Sequence, residues 1–467
     1  MSTETSNPDG DWIEQAKEVW RWTLSLSWPV MIQQVFQTLM RTTDIIVTGL
    51  FSPVAVAAIG LADLYAQIPL RLGQGLGGAA IALSSQDTGA GADANRDEAV
   101  TQALIIGALI GVPLAVAGAL FGSTAIDLLG AAPEVVRLGG LYLAVILVAS
   151  PAKHVAIIGV RALQGTGDTK TPMLINIGSN VINIACSVVL GLGIGPFPRL
   201  GIFGVGLATA LANAFTAASI LLAFTTDRIG LSFRRPRDWT ITRQLVVVGT
   251  PQFAEGMSST VAMFPFNALL LGFGTEVVAA FHIGRRMRQQ VTAPFYRSFS
   301  TASSVITGQT LGGDDPEAAR FNGLAVIALA FVLLGLSGGA LIVGAAPLAR
   351  VFTSDPATLA YAVDFARVFG LGGIFFGMFF VVAGCLRGSG ETRIPFIARM
   401  VGAWVIMLGG TYLAGEVLDV GIVAVYAVLI LSYLWMVSLA TVWFFKGDWE
   451  ARASTMMDER GTSDSDS

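Results

Sequence analysis

Charge is the scarcest ingredient of this 467-residue chain: Asp, Glu, Lys and Arg together make up 13% of it, against about 25% in an ordinary soluble domain. Histidine and cysteine are rarer still, with two of each. Two histidines, His154 and His282, are too few for a His-built metal centre. Cys186 and Cys385 lie inside apolar stretches with no neighbour at metal-ligand spacing, and read as small buried hydrophobes. Lysine occurs four times, at 17, 153, 170 and 446, and the net charge is −4. A basic footprint for nucleic acid is therefore absent. The P-loop pattern GxxxxGK[ST] is missing, so ATP is not the implied energy source; GTGDTKTP (165–172) has the glycines without the Lys-Ser/Thr ending. Nothing resembles the paired DxxD motifs or the His/Glu cluster that a membrane-embedded enzyme would need, since the acidic GGDDPEAA stands alone in a loop. No enzymatic activity and no bound cofactor are expected.

What the chain has instead is apolar length. Hydrophobic residues are 54% of the total, with 54 glycines, and the mean hydropathy is +0.68. A membrane-spanning helix needs about 20 apolar residues. Such runs recur twelve times, near 22–50, 54–84, 99–121, 136–162, 172–194, 201–225, 243–271, 276–307, 320–345, 358–386, 394–414 and 421–445. The pattern predicts an all-α polytopic membrane protein with twelve transmembrane helices. Several runs exceed the bilayer thickness, which implies tilt or kinks, and prolines at 29, 69, 113, 151, 251, 265 and 294 supply kink points.

Orientation follows from where the basic residues fall. Both tails and the loops after even-numbered runs hold most of the loop Lys and Arg, including the stretch RIGLSFRRPRDW (228–239). The opposite loops hold little beyond Arg199 and Arg350. Both termini are expected on the cytoplasmic side of the cell membrane. The acidic start and over-long first run do not fit a cleavable leader.

The chain also repeats itself. GTGDTKTP (165–172) returns as GSGETRIP (388–395), 223 residues on. The same offset pairs Gln86 and Gly89 with Gln309 and Gly312, and AVAAIG (55–60) meets VVAAFHIG (277–284) with a small slip. The expected plan is a tail (1–21), a first lobe (22–225), a cytoplasmic linker (226–242), a second lobe (243–445) and an acidic tail (446–467). Six helices per lobe is an even number, so the two six-helix bundles enter the membrane the same way. They should be pseudo-symmetric about an axis along the membrane normal, around a central cavity.

Within the first run, QTLMRTTDIIVTGLF (37–51) places Asp44 beside Arg41. A charge at the bilayer centre costs about 2.5–3.5 kcal/mol on insertion scales, so its presence needs a reason. Proton or cation binding would neutralise Asp44 and bias its helix between two shapes. Arg41, at i−3, offers a competing reading as a salt-bridge partner. In the fifth run, Asn176, Asn180 and Asn183 share one helix face, with Ser187 a turn further on.

Gln37 through Asp44 to Gly49, the stretch VAAIGLA, SSQDTGAG, VRALQGTGDTKTP, Asn183, GVGLATA (204–210), ITGQTLGGDDPEAA and CLRGSGETRIP stand in this order across nearly the whole chain. Together they resemble the multidrug and toxic compound extrusion (MATE) family, in its prokaryotic and archaeal, DinF-like branch. The resemblance implies a secondary antiporter that exports amphipathic organic compounds in exchange for Na⁺ or H⁺, working as a monomer in the bilayer. It also implies that Asp44 binds the coupling cation and that Asn183 belongs to its site. Some members carry an aspartate where this chain has Ser187. Asn180, Asn183, Ser187 and Thr209 would then offer neutral oxygens, with Na⁺ at Asp44, Asn183 and Thr209.

In the second half, Glu255 approximates a family glutamate, and Asn267 stands at the repeat position of Asp44. Gln37, Met40, Glu255, Met257, Asn267, Arg285 and Arg288 are the candidates for lining the substrate cavity. Arg285, Arg286, Arg288 and His282 cluster in the eighth run. If they lie at depth, they favour the alternative function, export of a lipid-linked or anionic substrate. If the eighth helix starts later than 276, they are surface residues. His154 reads as a hydrogen-bonded packing residue.

Overall fold

The apolar runs fold as helices whose beginnings are set by proline in the first turn, where its missing N–H and fixed φ cost nothing. Pro53, Pro133, Pro316 and Pro356 each open one. The computed structural model describes residues 8–226 and 229–461, and every regular element among them is helical. In chain order these are α1 (Pro8–Gly49), α2 (Pro53–Gly89), α3 (Asp93–Asp127), α4 (Pro133–Val148), α5 (Ser150–Gly165), α6 (Lys170–Leu192), α7 (Ile202–Ala223), α8 (Trp239–Gly272) and α9 (Thr275–Val291). Then come α10 (Ala293–Gly312), α11 (Pro316–Val343), α12 (Ala345–Phe352), α13 (Pro356–Gly388), α14 (Arg393–Val401), α15 (Gly410–Tyr412), α16 (Ile422–Lys446) and α17 (Trp449–Gly461). π-helical turns at Gly402–Gly409 and Leu413–Val417 flank α15 and complete one pass with α14.

These helices make the twelve passes expected. α4 and α5 bend by 49° and form one broken span, because Pro151 cannot continue the ladder. α9 and α10 meet likewise at Thr292, ahead of Pro294. Among the described residues, eight helices are long and apolar enough to cross a membrane by themselves, and the bent pair taken as one span is a ninth. Spans α1, α8 and α9–α10 fall outside that set, and they carry Asp44, Glu255 and Arg285–Arg288.

The repeat is visible in local geometry. Gly167 has φ +90° and Gly390, its counterpart, φ +83°, a left-handed turn that a Cβ disfavours. The acid that follows caps the next helix in both copies. Asp168 accepts the N–H of Lys170 (3.1 Å) and Thr171 (2.9 Å); Glu391 accepts those of Arg393 (2.8 Å) and Ile394 (3.3 Å). The motif is a helix-breaking turn.

Both expected tails contain more structure than their acidity suggests. The described residues of 1–21 extend α1, which buries Ala16, Val19, Thr23, Leu26 and Val30 at helical spacing. Trp20 donates its indole N–H to the Ala325 carbonyl at 2.9 Å. Residues 449–461 form α17, with Trp449, Ala453, Met456 and Arg460 buried on one face. Its Arg460, 1% exposed, is bound by Asp87 at 2.7 Å and by the side-chain oxygen of Gln86 at 3.0 Å. The linker is held by its backbone. Asp97 of α3 accepts the Ser232 N–H (3.1 Å) and hydroxyl (2.6 Å), and Glu98 accepts the Asp238 N–H (2.7 Å).

The chain divides into two compact units. One comprises the chain up to Met31, Gly89–Gly91 and Ala254–Asp458; the other comprises Ile32–Thr88, Ala92–Phe253 and the chain from Glu459. In the second of these, α3 packs on α4 and α5, and α6 on α7. In the first, α13 is the hub, packed on α9, α10, α11 and α16. Its apolar residues pack inward, and it buries Phe365, Phe369, Phe376 and Phe379.

Candidate functional site

Asp44, Asn183, Ser187 and Thr209 come together from three helices. Asp44, half-buried on α1, accepts the Ser187 hydroxyl at 2.8 Å. Ser187 is fully buried on α6, and its Oγ lies 3.5 Å from Asn183 Oδ1. The single hydroxyl proton serves one acceptor at a time, and the shorter contact gives it to Asp44. Asn183, 1% exposed, donates through Nδ2 to Thr209 Oγ1 on α7 at 3.2 Å. Thr209 passes its own hydroxyl proton to the Val205 carbonyl at 3.2 Å. Asn180 is buried a turn earlier on the same face of α6 and joins none of these bonds. Gln37 and Met40 are half-buried on α1, two turns and one turn before Asp44, respectively.

The result is one carboxylate with an amide oxygen and two hydroxyl oxygens in sequence. Hard monovalent cations and protons suit such a set; transition metals prefer nitrogen and sulfur. Among the described residues no group of three or more His, Cys, Asp or Glu side chains could hold a metal.

One acid in this region escaped the reading of the sequence. Asp63, in the GLADLY stretch of α2, acts electrostatically on Asp44, and is itself compensated by Arg41 and Lys153. Arg41 therefore acts on Asp63. An acid inside an otherwise apolar run was the available signal. His154 is the packing residue expected: it is fully buried, with its ring nitrogens 2.9 Å from the Gly107 carbonyl and 2.8 Å from that of Pro69.

The second-half candidates are not assembled into an equivalent site. Glu255 on α8, 3% exposed, is a counter-ion. Arg387 Nη2 reaches its two oxygens at 2.9 and 2.8 Å, and Arg399 Nη1 lies 3.0 Å from Oε1. Asn267 has a buried Oδ1 without a hydrogen-bond partner among the described residues. Met257 is half-buried on the same helix. α9 begins at Thr275, as the sequence predicts, so its arginines sit well inside the helix. Arg286 is exposed, Arg285 half-buried, and Arg288 only 7% exposed.

Helical passes in two internally repeated halves, with ionisable side chains in the apolar spans, are the architecture of a multi-pass membrane transporter. The MatE family model matches residues 29–189 and 251–413, and the chain belongs to the MATE family of transporters. The "Probable multidrug resistance protein NorM" of Bradyrhizobium diazoefficiens is 30% identical over 399 residues, covering 82% of this chain and 84% of that one. The protein of the same name from Rhodopseudomonas palustris is 31% identical over 414 residues, covering 85% and 86%. In fold, the crystal structure of a MATE protein in the straight conformation superposes with a TM-score of 0.84 at 22% identity, over 94% of this chain and 96% of that one.

Proposed function

We propose that this protein is a secondary active exporter of amphipathic organic compounds, exchanging them for Na⁺ or H⁺ by alternating access. The observation that carries the reading is the Asp44 carboxylate, held by the Ser187 hydroxyl at 2.8 Å at the head of an oxygen chain drawn from α1, α6 and α7. The relatives named as multidrug resistance proteins support the substrate class. Ionised, Asp44 holds the Ser187 proton and ties α1 to α6. A proton on Asp44 removes its charge; a Na⁺ ion would turn the Ser187 and Thr209 oxygens and Asn183 Oδ1 towards itself. Either event changes what α1 gains from its neighbours, and a helix whose two arrangements differ by a few kcal/mol can be switched by such a change. Gln37 and Met40, half-buried on the same helix, are the residues there that would contact a substrate. Both termini are cytoplasmic in this reading, from the distribution of Lys and Arg, and one chain suffices because it contains both halves.

The test is efflux of a cationic dye from proteoliposomes under an imposed Na⁺ gradient or an imposed pH gradient, with Asp44→Asn beside each. One gradient should drive efflux in the native protein, and the variant should lose at least tenfold of it. Efflux undiminished in Asp44→Asn would remove this residue from coupling.

The alternative, export of a lipid-linked or anionic substrate, is favoured by one observation: the cluster of arginines on α9, of which Arg288 is buried and Arg285 half-buried.

A further inference from the structure

A cavity of about 550 Å³ lies against α9, lined by His282, Ile283, Arg285, Arg286, Gln289 and Phe352. That volume lies within the range of small-molecule sites, about 300–1,000 Å³. Its lining holds two guanidinium groups, an imidazole and an amide, and no carboxylate. Arg285 has only a long contact from Nη1 to the Met263 sulfur, at 3.5 Å. Among the described residues, none of Arg285, Arg286 and Arg288 belongs to an ion pair.

Arg288, on the same helix, shows that the deficit runs deeper. Its guanidinium sits over the rings of Phe376 (4.2 Å), Phe369 (5.2 Å) and Tyr433 (5.8 Å). Its Nε and Nη1 are buried without a hydrogen-bond partner among the described residues. Rings stabilise a cation through their negative faces, but they do not neutralise it or accept its N–H groups. The charges of Arg288 and Arg399 both act on Arg285. The nearby acids are otherwise engaged or displaced. Glu255 holds Arg387 and Arg399, Asp364 lies 3.8 Å from Arg367, and Glu276 is in the first turn of α9. Buried charges are ordinarily paired, so this part of the molecule lacks an anion that a ligand would supply.

We propose that the α9 cavity binds an organic anion, a carboxylate or phosphate on an apolar body. Arg285 and Arg286 contact the anionic group, Gln289 donates beside them, and Ile283 and Phe352 cover the apolar part. The forked guanidinium matches the oxygens of such groups in pairs. Arg288 is a positioning charge behind the site. The use of this site in transport rests on the export reading above, whereas the binding itself does not.

The experiment needs no gradient. Full-length protein in detergent is titrated with 1-naphthyl phosphate, read by its fluorescence, with 1-naphthol as the uncharged control. Saturable binding of the phosphate is expected, at least tenfold tighter than the alcohol, and weakened at least tenfold in Arg285→Gln/Arg286→Gln. Thermal melts establish that the double variant is folded; if it is not, Arg286→Gln alone, at an exposed position, should weaken binding at least threefold. Equal binding of the alcohol and the phosphate, or unchanged affinity in the folded variant, would overturn the proposal. Repeating the titration in nanodiscs with and without phosphatidic acid separates the sources. Competition by that lipid identifies a headgroup as the occupant, and its absence identifies a soluble anion; both outcomes support the site. Failure of dye efflux in the native protein would sink the export reading and leave this titration intact.

Discussion

The two halves share a repeat of 223 residues and differ in the charge their apolar helices carry. The first half places carboxylates there, Asp44 half-buried and Asp63 exposed, with hydroxyl and amide partners around Asp44. The second half buries guanidinium groups among aromatic rings. The difference can be followed position by position. The residue 223 on from Asp44 is Asn267; those matching Asn183 and Ser187 are Ile406 and Gly410. Within the small slip of the repeat, Asp63 falls opposite the Arg285–Arg288 stretch. The buried Glu255 carboxylate of the second half is spent on Arg387 and Arg399. Duplication preserved the turn and the helix order, where backbone geometry is demanding, and let the buried chemistry diverge.

The largest effect should come from Glu255→Gln, which leaves Arg387 and Arg399 without their counter-ion. Breaking a buried pair in this way costs about 3–5 kcal/mol, so the melting temperature in detergent should fall by several degrees. A melting temperature equal to that of the native protein would mean that the two halves are not divided by an internally neutralised acid.

Asn267→Asp asks whether a carboxylate alone makes a coupling site. In an Asp44→Asn background it should not restore gradient-driven efflux, because Ile406 and Gly410 offer none of the oxygens that Asn183 and Ser187 provide. Recovery of even a third of native efflux would break the comparison.

The shared turn gives the opposite expectation. Gly167→Ala and Gly390→Ala each place a Cβ at positive φ, at a cost of about 1–2 kcal/mol. Their denaturation midpoints should shift equally, and a clear inequality would show that the two copies are not loaded alike.

The smallest effect concerns helix starts. Asp355 caps α13 by accepting the Thr358 N–H at 2.8 Å, whereas its counterpart Ala132, ahead of α4, has no side-chain cap. That N–H holds the Asp355 carboxyl below its ordinary value of 3.8. A depressed acid stabilises the fold above its unfolded pKa and loses that contribution as pH falls through the folded one. Hydrogen exchange at the start of α13 should therefore speed up below about pH 4, while the start of α4 changes less.

Much of the first-half site was legible because each of its members stands out locally. Asp44 is an acid in an apolar run, and Asn180, Asn183 and Ser187 fall on one face of one helix. Asp63 offered the same signal but no family match, and its partners Arg41 and Lys153 come from other helices. Glu255 looked like a substrate-cavity residue because its two arginines lie 132 and 144 residues away. The segment 449–461 looked like a tail because it is acidic, although Trp449, Ala453, Met456 and Arg460 already had the spacing of a buried helix face.

What the amino-acid order determined by itself is whatever depends on neighbours along the chain: apolar length, proline and glycine punctuation, the acid that caps the repeated turn, and the repeat. Hydrophobic transfer and backbone sterics act over a few residues, so they can be read in one dimension. Only the tertiary structure decided which polar groups meet. Asp44 finds Ser187 across 143 residues, Arg460 finds Asp87 across 373, and Arg288 finds rings instead of an acid. Ion pairs and hydrogen bonds act over a few ångströms, and packing alone brings residues from separate helices within that reach.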